Sequence, residues 1–258
     1  MIKHFCKERV EKFLLRERIH LGDTLIALNL IYNICKSLRC AAIVQAHNMG
    51  VVRRLMEIFD YEGLITPSIR VEVNFEHPIT FGTSLRVGEY CHNNWCGELF
   101  GSCTLGLEAL KEFVLPRHKL VAEKQGLHKC FQIDGRSAQH NKPPLSVSER
   151  ECFLRLFCDS ESVLIGGPTD KSDLPYRSHF ADLRKQCEFM LASKGFCGID
   201  SGMSHLAGTL GLDGDVIVQA TDMDYFRGVE RAYNFMYPTL RIHNRNSMFS
   251  YFAGGSIQ

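Results

Sequence analysis

Short apolar runs alternate with amphipathic stretches along this chain, and that alternation restricts its fold more than any other feature. Phe13-Leu14-Leu15 is an apolar run of strand type. His20-Leu21-Gly22-Asp23-Thr24 reads as a turn. From Thr24 to about Leu38 the residues Leu25, Leu28, Tyr32 and Cys35 recur at spacings of three and four, the period of one helix face. Ala41-Ala42-Ile43-Val44 is the next strand, and Val51 to Phe59 the next helix. Strand–helix–strand–helix order favours a parallel sheet, because a parallel pair needs a crossover long enough to hold a helix.

The middle of the chain is less regular. Val71 to Phe75 alternates like a strand. Residues 78–106 are rich in Gly, Asn, Thr and His and lack a period. Leu107 to Val114 reads as a helix, and Leu115-Pro116-Arg117 ends it and starts a linker. A second alternating pattern begins at Cys130-Phe131-Gln132-Ile133, a strand, followed by a polar loop from Asp134 to Pro144. Ser146-Val147-Ser148-Glu149 is a capping-box sequence at the head of a helix reaching about Cys158. Ser162 to Ile165 is a strand broken by Gly166-Gly167-Pro168, and Pro175 to about Ala192 reads as a helix. Gly195 to Ile199 is a strand, a short helix runs from near Ser201 to Gly211, and Asp215 to Gln219 is the last clear strand.

The expected fold class is therefore α/β. Two Rossmann-like domains, 1–120 and 121–258, carry parallel sheets facing a central cleft. The chain has 258 residues, room for two domains of this kind. Ligands of such sheets bind beyond the carboxyl ends of the strands.

Composition removes several alternatives. Thirty basic and 29 acidic residues leave a net charge of +1, so nothing points to nucleic-acid binding by bulk charge. No run of about 18 apolar residues exists, and the start lacks a signal-peptide core, so a cytoplasmic protein with at most peripheral membrane contact is expected. Of the 11 cysteines, Cys35, Cys152, Cys158, Cys187 and Cys197 lie in apolar stretches and read as buried thiols. The densest group, Cys91, His92, Cys96 and Cys103, contains no CxxC pair, which argues against zinc. No H-x-x-H or HExxH spacing supports a metal-dependent hydrolase.

The sharpest local feature is Gly198-Ile199-Asp200-Ser201-Gly202-Met203-Ser204-His205-Leu206-Ala207. A buried strand runs into an Asp-Ser-Gly turn and then into a helix. The first turn of that helix exposes N–H groups around Gly202 and Met203, and free amides with the helix dipole favour an anion, most often phosphate. His205, one turn in, reads as a further donor. As a purely structural feature the same segment is a capped helix with an interior histidine.

This stretch resembles the D-S/T-G-x-x-H-L-A signature of the family 9 glycosyltransferases, the heptosyltransferase-like proteins of GT-B fold. Leu21-Gly22-Asp23-Thr24 resembles the family's N-terminal G-D turn. Asp134 to Lys142 resembles its lysine loop, and Val216 to Asp222 the strand and T-D loop after the signature. The chain departs from the pattern at Asn29, where the family usually has proline, and at Pro143-Pro144, where tryptophan usually follows the loop lysine.

The resemblance implies an inverting, metal-independent glycosyltransferase. A hexosyl, pentosyl or heptosyl group moves from a nucleotide-diphosphate sugar to an acceptor hydroxyl on a glycan or lipid-linked saccharide. Asp23 is the expected catalytic base and Gly22 the turn-former. Arg136, Lys142, Asp200, Ser201, Gly202, Ser204, His205 and Asp222 are the expected donor-binding set. No cofactor is expected. Asp222-Met223-Asp224 forms a D-x-D, read as part of the donor loop and not as a metal site. Two alternatives stay open: transfer to a modified nucleobase in DNA, for which Arg53, Arg54 and Trp95 offer charge and stacking, and a nucleotide-binding protein without catalysis.

Overall fold

The computed structural model describes residues 10–15, 20–46, 48–68, 77–79, 112–121, 126, 128–134, 143–168 and 172–253. The chain divides into two compact units, Met1–Lys119 and Leu120–Gln258.

The first unit is a parallel sheet with helices. Strands β1 (Val10–Leu15), β2 (Ala41–Ala46), β4 (Ile65–Pro67) and β5 (His77–Ile79) align in the order β4-β2-β1-β5, every pair parallel. Two-residue strands β3 (Phe59–Asp60) and β6 (Arg117–His118) pair antiparallel beside it. Helix α1 (Leu21–Leu38) is buried on nearly every side from Gly22 to Cys35, wider than the single face expected from spacing. Helix α2 (Met49–Ile58) packs against α1 and buries Val52, Leu55 and Ile58. Asn29 and Asn33 are buried polar groups on α1 that find partners. Tyr61 Oη donates to Asn29 Oδ1 at 3.3 Å, and Asn33 brackets Val114, accepting its N–H at 2.7 Å and donating to its carbonyl at 2.9 Å. That bracket explains a correction. The helix expected over Leu107 to Val114 does not reach its described end, where residues 112–116 are irregular. Val114 spends its backbone groups on Asn33, not on a helical ladder. The expected strand Val71 to Phe75, the 80–106 segment with Trp95, and the Cys91–Cys103 group lie outside the described residues.

The second unit holds a six-stranded, all-parallel sheet of order β12-β11-β10-β7-β8-β9. Its strands are β7 (Cys130–Gln132), β8 (Val163–Gly166), β9 (Arg177–Phe180), β10 (Phe196–Ile199), β11 (Gly214–Val218) and β12 (Leu240–Asn244). Strands β8, β10 and β11 are buried at every position; β8 and β10 read as short runs without a polar side chain, and β11 breaks its run only at Asp215, which is paired with Arg241 and His243. Phe131, Cys197, Ile199 and Ile217 pack with Phe153 of α3 (Val147–Phe157) and Phe249 of α7 (Arg245–Ala253). Strands β10 and β11 approach so closely that a Cβ on Gly214 would lie 2.2 Å from the Phe196 carbonyl oxygen.

The helix expected over Pro175 to Ala192 is instead an edge strand, β9, and a shorter helix, α4 (Leu183–Leu191), capped by Asp182. Arg177-Ser178-His179-Phe180 is half solvated, so its side chains do not announce a strand; pairing with β8 decides it. Beyond β11 the chain continues with α6 (Met223–Met236), the second edge strand β12 and α7. The described cysteines, Cys35, Cys40, Cys130, Cys152, Cys158, Cys187 and Cys197, are free thiols, Cys152 and Cys158 half-buried and the rest buried. Burial pushes the Cys130 and Cys187 thiols up to about 12, so neither is a thiolate at neutral pH. Among the described residues no helix is long and apolar enough to cross a membrane.

Candidate functional site

The Asp-Ser-Gly segment sits at the carboxyl edge of the second sheet. Asp200 N donates to Ile217 O at 2.9 Å, the last rung between β10 and the end of β11. The chain then turns, and Ser201, with φ −155° and ψ 176°, caps helix α5 (Gly202–Thr209). Two serines cap each other: Ser201 Oγ accepts from Met203 N at 3.3 Å, and Ser204 Oγ accepts from Ser201 N at 2.9 Å. Ser201 Oγ also donates to Gln132 Oε1 at the end of β7, tying the turn to the neighbouring strand. Ser201, Gly202 and Met203 are half-buried, so the anion-favouring end of α5 is reachable from solvent.

Behind this turn lies a polar network centred on Tyr233 of α6. The fully buried Tyr233 hydroxyl donates to Asp200 Oδ1 at 2.7 Å and lies 2.7 Å from Ser204 Oγ and 3.3 Å from His205 Nε2. Asp200 accepts the tyrosine proton, and the single Ser204 hydroxyl proton has two acceptors in reach, Tyr233 Oη and Ser201 O, each 2.7 Å away. The His205 ring stacks on Tyr233 with centroids 4.8 Å apart, and its Nε2 is 3.6 Å from Asp200 Oδ1. Burial, then the Asp200 charge, raises the Tyr233 hydroxyl well above its ordinary pKa, so it stays protonated and keeps donating. Helix α5 packs tightly here: a Cβ on Gly208 would meet the Tyr237 ring at 2.4 Å.

These contacts change how the expected donor set is arranged. His205 was expected to reach an anion from one turn in. Its side chain is only 6% exposed and faces Tyr233 and Tyr237. Asp200 and Ser204 face the same interior, while Ser201 and Gly202 stay at the open end. Asp222 caps α6, accepting from Tyr225 N at 2.6 Å, and Asp224 is exposed and paired with Arg227 at 3.4 Å. The D-x-D is thus a helix start whose first carboxylate is occupied by the backbone. Among the described residues no group of three His, Cys, Asp or Glu side chains is arranged to hold a metal. Arg136 and Lys142 lie outside the described residues.

In the first unit the G-D segment is helix, not turn. Helix α1 starts at Leu21, with His20 as N-cap and no side-chain cap bond, so Gly22 is its second residue and Asp23 its third. Gly22 is therefore not turn-forming. N–H groups in a first helical turn have no intrahelical partner, and a glycine there costs less than one further in. Asp23 does not cap the helix either. It is half-buried in the first turn, where the dipole favours its ionised form.

Sequence reasoning missed Tyr233 and Gln132, which hold the turn from behind and from the side. Tyr233 carried a signal. Phe226, Val229, Tyr233 and Met236 repeat at three and four along α6, and a buried tyrosine hydroxyl requires a partner.

The class of fold follows first: two α/β units, the second with a six-stranded parallel sheet, in a fold similar to that of solved heptosyltransferases. Among solved structures, E. coli heptosyltransferase WaaC with ADP is similar at a TM-score of 0.54 and 12% identity, covering 94% of this chain and 99% of that one. E. coli ADP-heptose lipopolysaccharide heptosyltransferase II follows at 0.53 and 11%, covering 90% of each chain. The iron-containing dodecameric glycosyltransferase TibC of enterotoxigenic E. coli reaches 0.54 at 14% identity, and this chain spans 57% of its length. With ADP-D-beta-D-heptose bound, TibC scores 0.50 and this chain spans 58% of it. No protein-family model and no curated protein sequence matches the chain.

Proposed function

We propose that this protein is an inverting glycosyltransferase that moves a sugar from a nucleotide-diphosphate donor to a hydroxyl of a glycan or lipid-linked saccharide. The observation that carries the reading is the Ser201–Met203 turn. It is an open helix start at the carboxyl edge of an all-parallel sheet, in a fold shared with heptosyltransferases.

In this mechanism the diphosphate rests on the N–H groups at the start of α5, with Ser201 and Gly202 in contact. These fixed dipoles stabilise the charge that grows on the leaving nucleotide. Asp200, Ser204 and His205 hold the turn from inside through Tyr233. Lys142 and Arg136 supply positive charge to the diphosphate, and Asp222 shapes the loop beside it. Asp23 takes the proton of the acceptor hydroxyl as that oxygen attacks the anomeric carbon. The carbon–oxygen bond to the nucleotide breaks as the new one forms, so configuration inverts. No metal is required, because N–H groups and basic side chains meet the diphosphate charge. The enzyme works in the cytoplasm, at most touching a membrane surface.

The test is turnover. Nucleotide-diphosphate sugars are incubated with oligosaccharide and lipid-linked acceptors, and released nucleoside diphosphate is measured. Asp23→Asn is expected to lower the rate by roughly 100- to 10,000-fold, the usual contribution of a general base. An Asp23→Asn variant as active as the parent removes the base assignment.

A further inference from the structure

Arg245, the first residue of α7, uses its guanidinium to join four stretches of chain. Its Nε and Nη2 donate to Glu149 Oε1 and Oε2 at 2.7 and 2.6 Å, a two-pronged pair with side chains only 11% and 19% exposed. Its Nη1 donates to Pro143 O at 2.9 Å and Gln219 O at 3.4 Å, and its Nη2 to Pro144 O at 3.2 Å. Gln219 Nε2 adds a bond to Pro143 O at 3.3 Å. Glu149 is also the closing residue of the α3 capping box, accepting from Ser146 N at 2.7 Å. One carboxylate therefore serves both the cap and the clamp. A planar fork that reaches a carboxylate and three carbonyls at once is something lysine cannot copy.

The clamp's position gives it meaning. Gln219 lies just beyond the carboxyl end of β11, and Ile217, two residues earlier, accepts from Asp200 N. On the other side of β10, Gln132 at the end of β7 accepts from Ser201 Oγ. In the strand order β11-β10-β7, the turn that opens α5 leaves the middle strand. On one neighbouring strand Gln132 bonds Ser201, and at the end of the other Gln219 bonds the Arg245-held Pro143.

We propose that Arg245 is a positioning residue for the diphosphate site. It fixes Pro143 and Pro144 against the end of β11, the strand beside the one that leads into the Ser201–Met203 turn, and it acts through them, since its donors point to Glu149 and to backbone carbonyls. The inference rests on the nucleotide-sugar reading.

The test uses the full chain without added metal. ADP, UDP, GDP and CDP, and the matching nucleosides, are titrated by calorimetry into the parent, Arg245→Lys and Glu149→Gln. The expected parent binds at least one diphosphate about tenfold or more tighter than its nucleoside. Both variants should cut that ratio about fivefold or more, leaving nucleoside affinity unchanged. Gln219→Leu, which removes one bond to Pro143 and spares the ion pair, should cut it less and serves if the other variants do not fold. Equal losses for diphosphate and nucleoside, or an unchanged ratio in the folded variants, overturn the proposal. If the parent binds no diphosphate, the nucleotide-sugar reading fails and this inference falls with it.

Discussion

Tyr233 places one oxygen within hydrogen-bonding reach of Asp200, Ser204 and His205, in a site closed to water. Buried polar groups are worth little when paired and cost much when one partner is removed, because the remaining group has already lost its water. Tyr233→Phe keeps the ring stacked on His205 and deletes only the hydroxyl. The variant is expected to lose about 1–3 kcal/mol of unfolding free energy, read by urea denaturation at pH 7, from leaving the Asp200 carboxylate short of a donor. A variant as stable as the parent would mean that the hydroxyl does not support the turn. Ser201, Gly202 and Met203 are the signature residues left partly facing solvent. The six-residue signature thus divides into a solvent-facing turn and an internal support, a division that spacing alone does not reveal.

Helices α3 and α7 are joined by Glu149 and Arg245, and this junction makes a statement about pH. The Arg245 hydrogen bonds, followed by the Ser146 backbone bond, lower the Glu149 carboxyl to about 2 against the opposing effect of burial. A folded value below the unfolded one stabilises the protein above the unfolded pKa, about 4.3, and that stabilisation is lost as pH falls toward about 2. Asp215, held low by His243 and by two bonds from Arg241, acts in the same direction. Melting temperature measured between pH 5 and 2 should fall less steeply in Glu149→Gln than in the parent, starting from a lower value at pH 7; parallel curves would contradict the assignment. Elements like α3 were legible because the signal is local: Ser146 and Glu149 at the capping spacing form both bonds of the box. Central strands β8, β10 and β11 were legible because burial on both faces demands apolar side chains, as in Val163–Ile165, Phe196–Ile199 and Val216–Val218. Edge strands β9 and β12 were not. Half of each meets water, so Arg177, His179, Arg241 and His243 dilute the pattern, and long-range pairing decides the state. The turn at Ser201 was legible as a motif, but its partners Tyr233 and Gln132 come from distant elements. Asp23 was read as lying in a turn because Gly22 precedes it, whereas burial of α1 from Gly22 onward carries the helix back to Leu21.

At the scale of the molecule, two α/β units divide the proposed chemistry. The first carries Asp23, proposed to act on the acceptor, and the second carries the Ser201–Met203 turn, proposed to hold the diphosphate. The fold is similar to that of heptosyltransferases at 11–14% identity, a likeness that speaks for the fold and leaves what this chain binds to the test of its site residues. The central claim is that the turn opening α5 takes the diphosphate of a nucleotide sugar without a metal. A ligand held by the folded state raises the melting temperature in proportion to the logarithm of its concentration over Kd. The most direct measurement is therefore a thermal-shift series with nucleoside diphosphates and nucleotide-diphosphate sugars, each with and without chelator. The account predicts a rise of several degrees with at least one diphosphate, unchanged by chelator and absent with the corresponding nucleoside. No shift with any diphosphate, or a shift abolished by chelator, would contradict it.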